Sequence, residues 1–148
     1  MSRRREIRMT EAEEAAFLRV RKKAALATLD RDGFPHVVAM NYCVDGDAIV
    51  MTSYAKAQKV VNIRRNPRVG LMVESGESYA ELRGVLIRGQ CRIVEGEAAV
   101  LAAFAAMRAA RGERSNPGAV ASAKKRVVLR IIPEKVTSWD HTKLAGRY

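Results

Sequence analysis

The sequence predicts a mainly β fold, a small antiparallel β-barrel with helices packed at its openings. Three observations lead to it: six or seven short β-rich segments, tight turn signals between most of them, and helical patterns confined to the start, the middle and the late third. The 148 residues suffice for one domain with a buried core. We divide the chain into a basic N-terminal tail, residues 1–9, and a single domain, residues 10–148.

Capping and turn signals define the elements of the first half. Thr10 and Glu13 have the spacing of a capping box, so a helix should begin directly after Thr10. Asp32-Gly33 and Asp45-Gly46 favour tight turns, which should join three antiparallel strands in series. The predicted elements are a helix over residues 11–22 and strands over 24–29, over 36–44 after an opening proline at 35, and over 48–52.

Proline and glycine mark the boundaries in the second half. A short basic helix should stop at Asn66-Pro67, because the residue before a proline disfavours helical backbone. Gly84 and Gly89 predict a bulge or a close backbone approach inside a long strand, and Pro133 should divide the last strand in two. The predicted elements are helices over 57–65 and 97–111, strands over 68–74, 80–95, 125–132 and 136–139, a loop over 112–118 and a polar tail over 140–148.

The charge balance indicates an anionic partner. The chain carries 27 Lys and Arg against 16 Asp and Glu, a formal net charge of +11. Residues 56–68 hold five cations and no acid, and residues 108–130 hold seven cations against Glu113 alone. Such patches suit nucleic acid, an acidic surface or a polyanionic small molecule, and net charge does not choose among them.

Several classes of protein are excluded or disfavoured by the same composition. Cys43 and Cys91 lack metal-ligand spacing and lie in strand contexts, so we expect reduced core thiols and no metal site. No apolar run is long enough to span a membrane, and the start at Arg3-Arg4-Arg5 lacks the apolar region of a signal peptide. We therefore expect a cytoplasmic protein that does not act at a membrane.

One segment has the chemistry of a phosphate site. Thr52 and Ser53 place hydroxyls at the end of a predicted strand, Lys56 lies in the connection, and Lys59 lies in the first turn of the basic helix. Hydroxyl donors, ammonium groups and a helix N-terminus all favour a phosphate group. The alternative is a solvent-exposed helix that carries lysines without binding anything.

The following residues resemble a known family. The run from Lys59 through Asn66-Pro67-Arg68 to Val69 resembles the lysine, helix and Asn-Pro signature of the pyridoxamine 5'-phosphate oxidase-like split β-barrel proteins. The segments around Asp32-Gly33 and Gly84 follow in that family's order. The tail from Ser138 to Leu144 is similar to the branch that depends on the deazaflavin coenzyme F420.

This resemblance implies a homodimer of six- to seven-stranded antiparallel split β-barrels, with a flavin or deazaflavin in each groove between the subunits. Lys59 matches the family's phosphate lysine and Thr52 its strand-end hydroxyl, while Met40 and Asn41 would lie along the ring. Trp139 would contact the ring or the substrate, across the dimer. Ser53, Lys56 and Gln58 join the set of cofactor-binding residues through their chemistry and position alone.

Departures from the family's pattern bear on cofactor and substrate. Many flavin-binding relatives carry an arginine where this chain has Ala57, and the chain lacks the C-terminal extension that holds pyridoxamine 5'-phosphate. Coenzyme F420 carries more negative charge over a greater length than FMN, so the basic excess favours F420. The expected activity is hydride transfer from reduced F420 to an electron-poor alkene, imine or quinone-like small molecule, with no catalytic residue or proton donor assigned.

Three alternatives remain open from the sequence. The first is an FMN-binding oxidoreductase of the same family, and the second is a non-catalytic carrier of flavin or haem. The third is a nucleic-acid-binding β-barrel, which the charge favours. Aromatic residues make up only 5% of the chain, too few to indicate the stacking platform that such a barrel needs.

Overall fold

The computed structural model describes residues 2–114 and 116–147 and contains one seven-stranded antiparallel sheet. Its strand order is β2-β1-β5-β6-β7-β4-β3. The strands are β1 (Lys23–Leu29), β2 (Pro35–Asn41), β3 (Cys43–Asp45), β4 (Ala48–Tyr54), β5 (Arg68–Ser75), β6 (Arg83–Val94) and β7 (Arg126–Asp140). The mainly β, antiparallel class predicted from the sequence is confirmed.

Five α-helices lie in the described ranges and flank the sheet. They are α1 (Arg3–Glu6), α2 (Glu11–Val20), α3 (Gln58–Arg65), α4 (Glu97–Arg111) and α5 (Pro117–Ser122). The capping box of α2 is present, with the Thr10 hydroxyl accepting from the Glu13 amide at 3.2 Å and the Glu13 carboxylate accepting from the Thr10 amide at 2.6 Å. None of the helices in the described ranges is long and apolar enough to cross a membrane.

The strand predicted over residues 36–44 is in fact two strands. The chain leaves β2 at Asn41 and enters β3 at Cys43, so the two edge strands of the sheet are consecutive in sequence. Between them Tyr42 is 1% exposed, and its hydroxyl donates to the Leu18 carbonyl at 2.6 Å. Because the chain passes from one edge to the other here, the sheet curls into a barrel rather than forming a simple three-strand series.

The division of the last strand at Pro133 was wrong. Strand β7 runs unbroken from Arg126 to Asp140, and Pro133 lies opposite Gly89 where the β6–β7 register shifts. A Cβ on Gly89 would overlap the Ile132 carbonyl oxygen, so the glycine permits the irregularity that accommodates the proline. The predicted bulge at Gly89 is confirmed.

Two further segments differ from their predicted state. Residues 117–122 form α5, where a loop was expected to extend to residue 118, and position 115 of that loop lies outside the described residues. Asn116 caps α5, since its side-chain oxygen accepts from the Gly118 amide at 3.0 Å. The tail forms a 3-10 turn over His141–Leu144 that buries His141 and Leu144.

The inner face of the curled sheet forms the main core. Leu26, Met51, Leu71, Ile87 and Leu129 come from five different strands, belong to one buried cluster and are each 0–1% exposed. Because both halves of the sheet contribute to that one cluster, the sheet must wrap around it. A second, smaller cluster lies where α4 packs on the other side of β4 and β7.

The outer face carries a row of mostly apolar residues that are at least partly exposed. In register across five strands, the successive partners are Ala39, Ala25, Met72, Leu86 and Thr137. Met72 and Leu86 are 37% and 38% exposed although they are large and apolar. We call these five residues the outer row.

Candidate functional site

The first cavity opens where the end of β2, strand β4 and the last turns of α4 meet. Its volume is about 380 Å³, within the range of small-molecule sites. Its walls come from β2 and β4, the two strands that bear the predicted ring and hydroxyl contacts, and from the basic end of α4, α5 and the start of β7. The lining residues that carry the chemistry are Met40, Asn41, Thr52, Arg108, Arg111 and Arg126.

Three of the predicted cofactor residues therefore meet in one place. Met40 and Asn41 end β2, while Thr52 lies on the side of β4 that faces α4, and all three line the first cavity. They are brought together because β2 and β3 are consecutive and β3 pairs with β4. Lys59 lies beside the cavity rather than in its wall.

The surroundings of Lys59 are cationic. Partial burial lowers the pKa of the Lys59 ammonium, and the charge of Arg126 lowers it further. Neither side chain forms an ion pair with any residue of ranges 2–114 and 116–147. Two cations held near each other without an acid favour a bound anion, which would relieve both their repulsion and their desolvation.

Arg126 was not singled out individually from the sequence, although the basic run over 108–130 contains it. Its guanidinium lies 4.0 Å from the centre of the Tyr54 ring and 5.6 Å from that of Phe104. Its Nε donates to the Ser122 hydroxyl at 3.0 Å. These contacts orient the cation, and only the fold reveals that it lies beside Lys59.

Two more arginines of α4 make the first cavity basic. Arg111 donates to the Glu113 carboxylate at 3.4 Å and to the Lys22 carbonyl at 3.3 Å. Arg108 is half-buried, and within the described part of the chain its guanidinium has no hydrogen bond or ion pair. Glu113 is the only acid among the lining residues and is already held by Arg111, so the cavity keeps an excess of positive charge.

A buried polar chain fixes the helix that carries Lys59. Asn62 is 0% exposed and donates to the Thr28 hydroxyl at 3.0 Å, while its oxygen accepts from Gln58 at 2.8 Å. Asn66 accepts from the Arg68 amide at 3.2 Å and ends the helix before the proline. The asparagines of the Lys59–Val69 run thus anchor α3 to β1 and shape its end.

The remaining predicted residues have other surroundings. Ser53 is 3% exposed inside the barrel, and its hydroxyl donates to the Tyr54 carbonyl at 3.2 Å. Lys56 is exposed, and Gln58 contacts Asn62 rather than the first cavity. Within one chain the structure does not bring Ser53, Gln58 or Trp139 to the first cavity.

Trp139 lines a second, larger cavity of about 900 Å³. A Cβ on Gly84 would overlap Cζ2 of Trp139, so the indole lies flat against the glycine across the β6–β7 pair. The close backbone approach predicted for Gly84 is therefore a contact with an aromatic side chain. The wall opposite β7 is formed by the N-terminal segment from Arg4 to Arg8.

Cysteine and metal chemistry have no support in the described ranges. Cys43 and Cys91 are buried and unpaired, and burial raises the pKa of the Cys91 thiol to about 12. Such a thiol stays protonated at neutral pH and is a poor nucleophile. Among residues 2–114 and 116–147 no group of three or more His, Cys, Asp or Glu side chains is arranged to hold a metal ion.

A sequence model for pyridoxamine 5'-phosphate oxidase matches residues 10–140 of the chain. No curated protein sequence matches. Among solved structures, a conserved hypothetical protein of Mycobacterium tuberculosis is 37% identical, with a TM-score of 0.89 over 100% of this chain and 95% of that one. A protein described as an F420 reductase is 26% identical, with a TM-score of 0.68 over 82% of this chain and 93% of its own.

Other structural neighbours share the fold at lower identity. The haem storage protein HutZ of Vibrio cholerae is 21% identical, with a TM-score of 0.67 over 85% of this chain and 92% of that one. At this level the likeness extends to the fold alone. The same barrel therefore serves proteins described as a reductase and as a haem store.

Proposed function

Since the chain belongs to the pyridoxamine 5'-phosphate oxidase family, we propose that it is an oxidoreductase that uses coenzyme F420 and reduces an electron-poor alkene, imine or quinone-like small molecule. The observation that carries this proposal is the first cavity, where Arg108, Arg126 and the adjacent Lys59 lack acidic partners in the described ranges. The 26% identity to an F420 reductase favours the deazaflavin over FMN. A cytoplasmic location remains our expectation.

The residues present suit such a cofactor. Lys59 and Arg126 hold the phosphate, and the Thr52 hydroxyl donates a hydrogen bond to it. Arg108 provides a second positive site for the further carboxylates that F420 carries and FMN lacks. Arg126 is a second cation for the phosphate and compensates for Ala57, the position where many flavin-binding relatives have an arginine.

The end of β2 suits the ring. As an edge strand of the described sheet, β2 leaves alternate backbone groups around Met40 and Asn41 without a partner in β1. These groups hydrogen-bond the polar edge of the ring and orient it. When bound, the reduced cofactor supplies the hydride, and the chain supplies position, charge and exclusion of water.

The functional unit that we propose is a homodimer with a cofactor at the subunit interface. The outer row presents Met72 and Leu86 to solvent, a surface that a second copy would bury. Asn41 lies two residues after Ala39 on β2, and Trp139 lies two residues after Thr137 on β7, so both are displaced from the row in the same direction along the strands. The strands β2 and β7 are four strand spacings apart, or about 19 Å in a flat sheet. A two-fold axis along β5 would place Trp139 of each chain opposite the Asn41 end of its partner.

The dimer is tested by its mass in solution. The protein should elute at twice 16.4 kDa, and Met72→Asp in the middle of the outer row should give monomers. Val20→Asp changes an exposed apolar residue of α2 outside the row and should leave the mass unchanged. A monomeric unmodified protein would exclude the interface site.

The cofactor is tested by titrating the apoprotein with F420 and with FMN, followed by fluorescence over a range of salt. F420 should bind more tightly, and Lys59→Ala or Arg126→Ala should weaken its binding by at least about 1.5 kcal/mol, or roughly tenfold. Arg31→Ala removes the same charge from an exposed turn and is the matched control. Tighter binding of FMN than of F420 would assign the chain to the flavin-binding branch. If Lys59→Ala and Arg126→Ala bind F420 as tightly as the Arg31→Ala control, the phosphate assignment is overturned.

A further inference from the structure

The second cavity has a defined wall although the segment that forms it is short. The Asp140 amide donates to the Ile7 carbonyl at 2.7 Å, and the Met9 amide donates to the Ser138 hydroxyl at 3.1 Å. Lys143 donates to the Arg8 carbonyl at 2.9 Å. These bonds tie the N-terminal segment to the end of β7 and keep it over the cavity.

The side chains around this cavity are cationic. Arg4, Arg5 and Arg8 come from the N-terminal segment, and Lys135 comes from β7. No Asp or Glu is among the lining residues, and none of the four cationic side chains has a hydrogen bond or ion pair within the part of the chain that the structure describes. A site of this composition favours an anion.

One wall is aromatic and rigid. The Trp139 indole is backed by Gly84, which leaves it half-exposed on the cavity side. Val136 and Thr137 continue the wall along β7. A flat indole beside guanidinium groups suits a planar conjugated compound whose ring stacks on the indole while its carboxylate contacts the arginines.

We propose that the second cavity binds the hydride acceptor, and that this acceptor is a planar conjugated carboxylate. The identity of the ligand as an acceptor rests on the proposed function, whereas its binding does not. In the proposed dimer Trp139 lies opposite the partner's ring site, where an acceptor must be. Reduction adds the hydride from the reduced cofactor to one alkene carbon and a proton from water to the other, so the double bond is lost and the cofactor is left oxidised.

The test uses Trp139 as its own reporter, because it is the single tryptophan of the chain. The full-length apoprotein is titrated with 4-nitrocinnamate, a planar conjugated anion that quenches indole fluorescence, and with its neutral amide. Saturable quenching by both is expected, with the carboxylate binding at least about tenfold more tightly. No quenching, or equal binding of acid and amide, would overturn the proposal.

The arginines are tested as a group. The triple variant Arg4→Ala, Arg5→Ala, Arg8→Ala should lower the affinity for 4-nitrocinnamate to that for the amide, while binding of the amide stays unchanged. The segment should remain in place, because its carbonyls rather than its side chains are anchored. A matched triple variant, Arg31→Ala, Arg68→Ala, Arg92→Ala, loses the same charge at exposed sites elsewhere. An equal loss in both triple variants would reduce the effect to long-range attraction and overturn the site.

The result separates the two proposals. Quenching without F420 binding would refute the proposed cofactor and leave the anion site standing. F420 binding without quenching would refute this inference alone. Where quenching and F420 binding both occur, turnover of 4-nitrocinnamate by the protein loaded with reduced F420 decides whether the bound anion is a hydride acceptor. Tight binding without turnover would overturn the assignment of the ligand as an acceptor.

Discussion

The two cavities of this molecule hold their cations in different ways. In the first, Arg126 lines the wall and Lys59 lies beside it, and both are partly buried. A buried hydrogen bond fixes α3, the helix of Lys59, to β1, and the Ser122 hydroxyl accepts from the Arg126 guanidinium. In the second, Arg4, Arg5 and Arg8 are exposed on a short segment that backbone bonds attach to the end of β7. Affinity in the first should therefore depend on the stability of the barrel, whereas affinity in the second should depend on charges that can be removed without unfolding it.

The largest effect expected from this comparison is at Asn62. Asn62→Ala removes both hydrogen bonds of a residue that is 0% exposed and leaves the buried Thr28 hydroxyl without a donor. The free energy of unfolding should fall by about 2–3 kcal/mol in chemical denaturation. Gln58→Ala breaks one of the same bonds at an exposed site and should cost less than about 1 kcal/mol. Equal costs for the two variants would show that the buried chain does not anchor α3.

The next effect is at the wall of the second cavity. Gly84→Ala places a methyl group against the Trp139 indole, which must move away from the sheet. The cost should be about 1–2 kcal/mol, with a red shift of the tryptophan emission as the indole becomes hydrated. Gly70→Ala on the neighbouring strand meets only Ala27 at 3.8 Å, so it should change neither quantity. An unshifted emission in Gly84→Ala would mean that the indole is not held by this contact.

The features that the sequence predicted correctly are those that depend on local signals. Helix α4 was predicted with its observed bounds, since its apolar periodicity and the glycine that ends it are local signals. The capping box of Thr10 and Glu13 was equally readable. The basic character of residues 108–130 was also visible, but not that Arg126 lies near Lys59, because that proximity depends on the pairing of β4 with β7.

The errors of the sequence analysis arise where structure depends on contacts between residues that are far apart in the chain. A β-rich run over residues 36–44 does not reveal that Tyr42 carries the chain from one sheet edge to the other. Pro133 was expected to break β7, yet Gly89 on the partner strand absorbs the irregularity. The second cavity depends on bonds between residues 7–9 and 138–143, which are far apart in sequence. No local signal encodes such contacts.

A smaller effect concerns the orientation of Arg126. Tyr54 is 50% exposed and places its ring 4.0 Å from the guanidinium. Tyr54→Leu should weaken F420 binding roughly two- to fivefold, since cation–π contacts at exposed sites contribute about 0.5–1 kcal/mol. Tyr54→Phe keeps the ring and should bind as the unmodified protein does. A loss in Tyr54→Phe as large as in Tyr54→Leu would assign the effect to the hydroxyl instead.

The smallest effect is a shift in the titration of Lys59. Burial first, and the Arg126 charge second, lower the pKa of Lys59 below that of the unfolded chain. At a pH between the folded-state and unfolded-state pKa values of Lys59, the unfolded state binds more protons than the folded state. This residue therefore makes the free energy of unfolding rise with pH in that window. Binding of an anion needs the ammonium form and should fall as pH rises through the lowered pKa.

Arg126→Ala removes the smaller of the two causes. The pKa of Lys59 should rise in this variant without reaching its ordinary value, because burial remains. The measurement is the pH midpoint of the Lys59 ε-methylene resonance, with Arg31→Ala as the control of equal charge. An unchanged midpoint in Arg126→Ala would mean that the two cations do not sense each other. The cations at the first cavity would then act independently, as those of the second cavity do. The two cavities would differ only in the anchoring of α3.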